Sequence, residues 1–123
     1  MGKNELGLVS VDERRCIGCG YCALSCPYHA PKVDRSVGHS AKCDGCFDRV
    51  SQDERPICVE ACPLRALDFG DIDELRSKYG EVAAIAPLPS EEETHPNIVI
   101  TEPVNAKPAG DTTGSVLNER EIA

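Results

Sequence analysis

The chain has no tryptophan, one methionine, three tyrosines and two phenylalanines in 123 residues. A core assembled from Val, Ile, Leu and Ala alone is thin. Chains of this size, one small domain by length, often lean on disulfides, metals or a partner. Basic charge is also scarce: 13 Lys and Arg stand against 21 Asp and Glu, a formal net charge of −8. Phosphate contacts need a basic face, so no nucleic acid is expected as a partner. An acidic chain of this kind is steered instead toward basic partner surfaces. No apolar run approaches the ~20 residues of a membrane helix, which argues against direct membrane insertion. The opening MGKNELGLVSVDERR lacks the apolar stretch of about 7–15 residues that a secretory signal carries, so no signal peptide is expected. Leu6 departs from the myristoylation pattern, which asks for Ser or Thr there.

What the chain does have is cysteine: eight of them, all from Cys16 to Cys62. They form an imperfect repeat. CIGC (Cys16, Cys19) and CDGC (Cys43, Cys46) share C-x2-C with Gly before the second cysteine. CALSCP (Cys22 to Pro27) and CVEACP (Cys58 to Pro63) share C-x3-C-P. Two residues separate the pairs in the first half; the eleven residues FDRVSQDERPI separate them in the second. A half-site used twice suggests two metal sites related by approximate symmetry.

Three chemistries compete for such thiols. Disulfides need an oxidising compartment, for which the sequence offers no support. Zinc in two four-cysteine sites is chemically reasonable, but zinc knuckles have no need of a third cysteine two residues on, or of a C-x3-C-P ending. The run C-x2-C-x2-C-x3-C-P is that of two-cluster bacterial ferredoxins, whose fourth cysteine ligates the other cluster. Short spacings let three thiolates wrap three corners of one cube, and Gly18 and Gly20 are expected to relieve backbone crowding. Pro27 and Pro63, which lack an N–H, set the exit direction of the chain. The assignment that follows is Cys16, Cys19, Cys22 and Cys62 for one [4Fe–4S] cluster, and Cys26, Cys43, Cys46 and Cys58 for a second. No corner is left open for a substrate, and no catalytic residue is apparent.

Around the motifs the regular elements are short. Leu8–Val11, Ala66–Gly70 and Asn97–Thr101 read as strands. Asp71 is a fitting N-cap, with Glu74 in a capping-box arrangement, for a helix that Gly80 closes. A short helix is expected from Phe47. Pro87–Pro96 reads as a connection, with Glu91, Glu92 and Glu93 as solvated loop charges. Residues 102–123 read as an extended or disordered tail, and residues 1–101 as the domain. The fold class is α+β, a ferredoxin-like two-cluster module. Arg14, Arg15, Lys42, Arg49 and Arg65 flank the motifs, where they either offset cluster charge or form ordinary surface ion pairs. His29 and His39 read as surface or packing residues, and Tyr28 as cover for a cluster.

The stretches CIGCGYCALSCPYHAP, GHSAKCDGCFDRV and PICVEACPLRALDFG, continued by DIDELRSKYG, AAIAPLP, PNIVI and GDTTG, resemble the electron-transfer iron–sulfur subunit of the bacterial dimethyl sulfoxide reductase family. The likeness runs from about residue 7 to residue 115. It implies ferredoxin-like units that pass electrons from a quinol-oxidising membrane anchor to a molybdopterin catalytic subunit. It also implies a place peripheral to the bacterial cytoplasmic membrane, within a complex and exported with its partner. The family's subunit has a further pair of cysteine motifs upstream, so the chain resembles its C-terminal part. Two other roles stay open at this stage: a free ferredoxin-like carrier, and a zinc-holding structural module.

Overall fold

The computed structural model describes residues 1–115. The chain divides into two compact units, Met1–Phe69 and a second from Gly70 onward. Short strands and short helices make up the first unit, an α+β arrangement consistent with a ferredoxin-type domain, and two helices with an isolated bridge make up the described part of the second.

The first unit opens with a two-residue antiparallel ribbon, β1 (Gly2–Lys3) against β2 (Val9–Ser10), with Lys3 opposite Val9. Asn4 shapes the loop between them. Its side-chain oxygen accepts from the N–H groups of Leu6 and Leu8, and its own N–H donates to the Leu8 carbonyl. The strand expected at Leu8–Val11 is thus realised only at Val9 and Ser10.

A second hairpin, β3 (Lys32–Asp34) with β4 (His39–Ala41), pairs Val33 with Ser40. Its loop is held by the Asp34 carboxylate, which accepts from the Ser36 N–H at 2.8 Å and from the Ser36 hydroxyl at 2.6 Å. Three helical turns carry the motifs: α1 (Tyr21–Ser25), α2 (Phe47–Val50) and α3 (Ile57–Ala61). The helix expected from Phe47 is α2.

Apolar packing in this unit is sparse. Val59 is its buried hydrophobic side chain, and Ser40, 3% exposed, is its buried polar residue. Ile17, Leu24 and Leu64 are each about 85% exposed. A unit so thinly packed holds little hydrophobic stabilisation of its own.

In the second unit α4 (Ile72–Tyr79) matches the sequence signals. The Asp71 carboxylate caps it by accepting from the Asp73 N–H, and Gly80, at φ 99°, closes it with its N–H on the Arg76 carbonyl. Helix α5 (Glu91–Thr94) falls where a plain connection is expected. Glu91, Glu92 and Glu93 are exposed, as expected of solvated charges, but they lie in this helix, and the Glu91 carboxylate accepts from the N–H of Ala83, the buried apolar residue of this unit.

Two expected strands do not form among the described residues. In Ala66–Gly70, the Asp68 carboxylate accepts from the adjacent Phe69 N–H, a local bond that competes with a ladder, and it also pairs with Arg55. In Asn97–Thr101 one backbone bond, from the Ile100 N–H to the Val82 carbonyl, replaces a ladder. Residues 102–115 hold an isolated bridge, Ile85 with Pro108. The rest of the expected tail, residues 116–123, lies outside the described residues. Among the described residues no helix is long and apolar enough to cross a membrane.

Candidate metal centre

The two cysteine half-motifs fold alike. Gly18 and Gly45, each one residue before the second cysteine of its C-x2-C pair, take φ of 66° and 72°. That left-handed backbone turns the loop back sharply and suits glycine. At Gly18 there is also no room: a β-carbon would lie 2.4 Å from the Gly38 carbonyl oxygen. The crowding that Gly18 relieves therefore comes from the β3–β4 hairpin. Gly20, at φ 78°, caps α1, and Cys46, at φ 54°, caps α2.

Helix α1 carries Cys22 and ends at Cys26; α3 carries Cys58 and ends at Cys62. Both terminal cysteines are extended, with ψ of 113° and 110°. The following proline forces this, because its ring excludes the helical backbone from the residue before it. Three residues past each cysteine, His29 and Arg65 both take φ 51°, and their N–H groups return to the carbonyls of Cys26 and Cys62 at 3.1 and 3.2 Å. The C-x3-C-P turn is thus built twice with nearly one geometry. The halves differ between their pairs, where α2 and residues 51–56 fill the longer gap before Pro56 starts α3.

All eight thiols are free. Cys19, Cys43 and Cys58 are exposed, and Cys16, Cys22, Cys26, Cys46 and Cys62 are half-buried. Several receive hydrogen bonds that favour the thiolate. The Ser40 N–H reaches Cys16 Sγ at 3.3 Å, and with the Gly18 N–H it pulls the Cys16 thiol below its ordinary pKa. The Ala66 N–H, 3.4 Å from Cys62 Sγ, does most to pull that thiol down, helped by the N–H groups of Leu64, Leu67 and Arg65. Cys43 Sγ accepts from the Gly45 N–H at 3.4 Å. Cys22 Sγ lies 3.3 Å from Ser40 Oγ, so Ser40 joins two thiols of one motif.

Among the described residues no three Cys, His, Asp or Glu side chains converge as a single metal ion requires. A mononuclear zinc draws its sulfurs to within ~2.3 Å of one point. A four-iron cluster asks one thiolate of each iron, so its ligands stand apart around a larger body. Eight free, partly exposed thiols on short turns, with backbone N–H groups aimed at their sulfurs, are a donor set suited to that second kind of group.

The flanking charges have structural work. The Lys42 ammonium donates to the carbonyls of Val9 and Cys43, tying the first ribbon to the start of the second motif. Arg49 pairs with Glu54 at 3.2 Å and Glu60 at 2.6 Å, joining α2 to α3. Arg65 Nη1 donates to the Glu60 carbonyl at 3.4 Å. His39 lies 3.8 Å from the Glu13 carboxylate, and Tyr28 is half-buried. Ser40, Gly38 and Leu8 are the residues near the motifs that the cysteine pattern does not single out. The inward phase of a polar residue in a three-residue strand is the only signal for Ser40, and it is a weak one.

The 4Fe-4S dicluster domain model matches residues 1–72. The B subunit of the anaerobic dimethyl sulfoxide reductase of Escherichia coli K12 is 58% identical over 122 residues, covering 99% of this chain and 60% of the relative. Its counterpart in Haemophilus influenzae is 55% identical with the same coverage. The B subunit of the polysulfide reductase of Wolinella succinogenes is 45% identical over 85 residues, covering 68% of this chain and 44% of that one. The chain thus spans about three fifths of the length of the curated relatives it matches most fully.

Proposed function

We propose, from the premise that this chain belongs to the 4Fe-4S dicluster family and is of the dimethyl sulfoxide reductase B-subunit type, that it is a non-catalytic relay of single electrons in a molybdopterin reductase complex. It holds two [4Fe–4S] clusters, one on Cys16, Cys19, Cys22 and Cys62, the other on Cys26, Cys43, Cys46 and Cys58. The observation that carries this reading is the C-x3-C-P turn built twice, with His29 and Arg65 at the same φ of 51° and all eight thiols free. When bound, each cluster supplies a one-electron couple. The chain's own residues ligate, orient and tune: the glycine turns present the thiols, and the N–H groups of Ser40, Gly18 and Ala66 favour thiolates at Cys16 and Cys62. With all eight cysteines given to ligation, no thiol of either motif is left over for bond chemistry on a substrate, and the reduction itself belongs to the partner.

On this reading electrons arrive from a quinol-oxidising membrane anchor and leave to a molybdopterin catalytic subunit. The complex sits peripheral to the bacterial cytoplasmic membrane and is exported with the catalytic partner. The relatives' designation as the second lettered subunit of a reductase supports a multisubunit assembly. The test is anaerobic purification of the tagged chain from its own cells. About eight irons and eight sulfides per chain, with two reducible centres and a co-purifying molybdenum subunit, are expected. Two zinc ions on a colourless protein would overturn the relay. Intact clusters on a partnerless chain, reduced by a soluble reductase, would make it a free carrier.

A further inference from the structure

We infer that Ser40 is the residue that sets the Cys16, Cys19 and Cys22 centre apart from its twin, by donating two hydrogen bonds to two of its thiolates. The inference rests on the cluster reading above. Ser40 is the buried polar residue of the described chain, 3% exposed, on the inward phase of β4 between half-buried His39 and exposed Ala41. Its N–H donates to Cys16 Sγ at 3.3 Å. Its Oγ lies 3.3 Å from Cys22 Sγ and 3.3 Å from the Lys32 carbonyl oxygen.

The proton count decides what the hydroxyl does. In the free thiol the Cys22 S–H donates to Ser40 Oγ, and the Ser40 O–H donates to the Lys32 carbonyl. Once Cys22 is a thiolate it has no proton to give. Serine then has one O–H for two acceptors, and the charged one is the stronger. With the hydroxyl turned to Cys22, Ser40 serves two sulfurs of one centre, at a point screened from water where such bonds count most. A donor to a cluster thiolate favours the state with more negative charge, which is the reduced one, so it raises the potential. The three thiols of the second motif have a different setting: Cys43 accepts from the Gly45 N–H within its own loop, and Ser40 makes no bond to that motif among the described residues.

The wild type is compared with its Ser40→Ala and Ser40→Thr variants, each purified anaerobically as the full chain with the partners it carries. Iron and sulfide are counted first, then each centre is titrated potentiometrically by EPR. In Ser40→Ala the reduction equilibrium of the Cys16, Cys19 and Cys22 centre falls by about tenfold, which is ~59 mV for one electron. The other centre keeps its potential, and Ser40→Thr restores the first. In the unaltered protein, exchange into heavy water moves the iron–cysteine vibrations of the first centre. That measurement needs no variant, so the lack of a shift overturns the role even if Ser40→Ala sheds its cluster, and Ser40→Thr, which keeps a hydroxyl, then carries the comparison of potentials. Equal potentials in all three proteins, equal shifts in both centres, or no deuterium effect would each overturn the role given to Ser40. A wild-type chain without iron fails earlier, at the relay reading itself.

Discussion

The Gly38 carbonyl oxygen occupies the space where a side chain on Gly18 would begin, 2.4 Å from its β-carbon position. Gly45, its counterpart in the second motif, faces the tip of the Leu8 side chain, at 2.9 Å. Both glycines are left-handed, and an L-residue there costs about 1–2 kcal/mol from the backbone alone. Only at Gly18 is the obstacle backbone, which cannot swing aside as a leucine methyl does. Gly18→Ala is therefore expected to cost more than Gly45→Ala. Gly45→Ala should stay near the backbone figure, while Gly18→Ala distorts the loop between Cys16 and Cys19. Guanidinium titration of the cluster-loaded protein, followed by visible absorbance under anaerobic conditions, compares them. Equal midpoints would show that the hairpin gives way freely.

Removal of the metal should leave Met1–Phe69 without a cooperative transition. Val59 is its buried hydrophobic side chain, whereas Ile17, Tyr21, Leu24, Ile57, Leu64 and Leu67 are exposed. Val59, with the buried Pro31 and Pro56, is too little apolar burial to offset the ordering of dozens of residues. Ligation must supply the difference, as in other small metal-dependent domains. Calorimetry of chelated, reduced protein is expected to show no heat-absorption peak from this unit. A sharp peak there would mean that the packing suffices without ligands.

The parts legible in the sequence are those whose causes are local. A proline after each C-x3-C pair dictates an extended cysteine and the end of a helical turn, and Cys26 and Cys62 comply. Asp71 and Gly80 bracket α4 for equally local reasons, although the cap reaches the Asp73 N–H. The strands expected at Ala66–Gly70 and Asn97–Thr101 fail because a strand needs a partner elsewhere in the chain, and apolar composition does not supply one. The β3–β4 hairpin is harder to see: its strands are three residues each, and its turn is set by Asp34, Ser36 and Gly38. The proposed cysteine ligands rest on spacing, which any reader of the sequence has in hand. The two bonds of Ser40 to Cys16 and Cys22 need the hairpin, so they become visible only in the fold.

Acid should weaken the hairpin through Asp34. The Ser36 hydroxyl, and after it the Ser36 N–H, hold the Asp34 carboxyl below its ordinary pKa. A carboxyl whose pKa is depressed by folding contributes stability that is fully present above the ordinary carboxylate value. It is lost as pH falls through the lower, folded value. The gap in denaturation midpoint between the wild type and Asp34→Asn is expected to be widest near neutrality and to close across that acidic window. A gap that stays constant with pH would assign the effect of the substitution to shape and not to charge.

The crosswise exchange of ligands is tested most directly at Cys26. This residue stands one helical turn beyond Cys22, about 6 Å along the axis, at the extended end of α1. Cys16, Cys19 and Cys22 crowd into one loop and turn, which suits three corners of one cube, and Cys26 points the chain onward into Pro27. Cys26→Ser is therefore expected to damage the centre held by Cys43, Cys46 and Cys58 and to spare that of Cys16, Cys19 and Cys22, as read by EPR of each centre in the reduced protein. The mirror variant, Cys62→Ser, should exchange the outcome. Damage confined to the residue's own motif would end the crosswise assignment. Two undamaged centres, found also in Cys26→Ala and Cys62→Ala, which offer no oxygen ligand in place of the sulfur, would mean that neither cysteine is a required ligand.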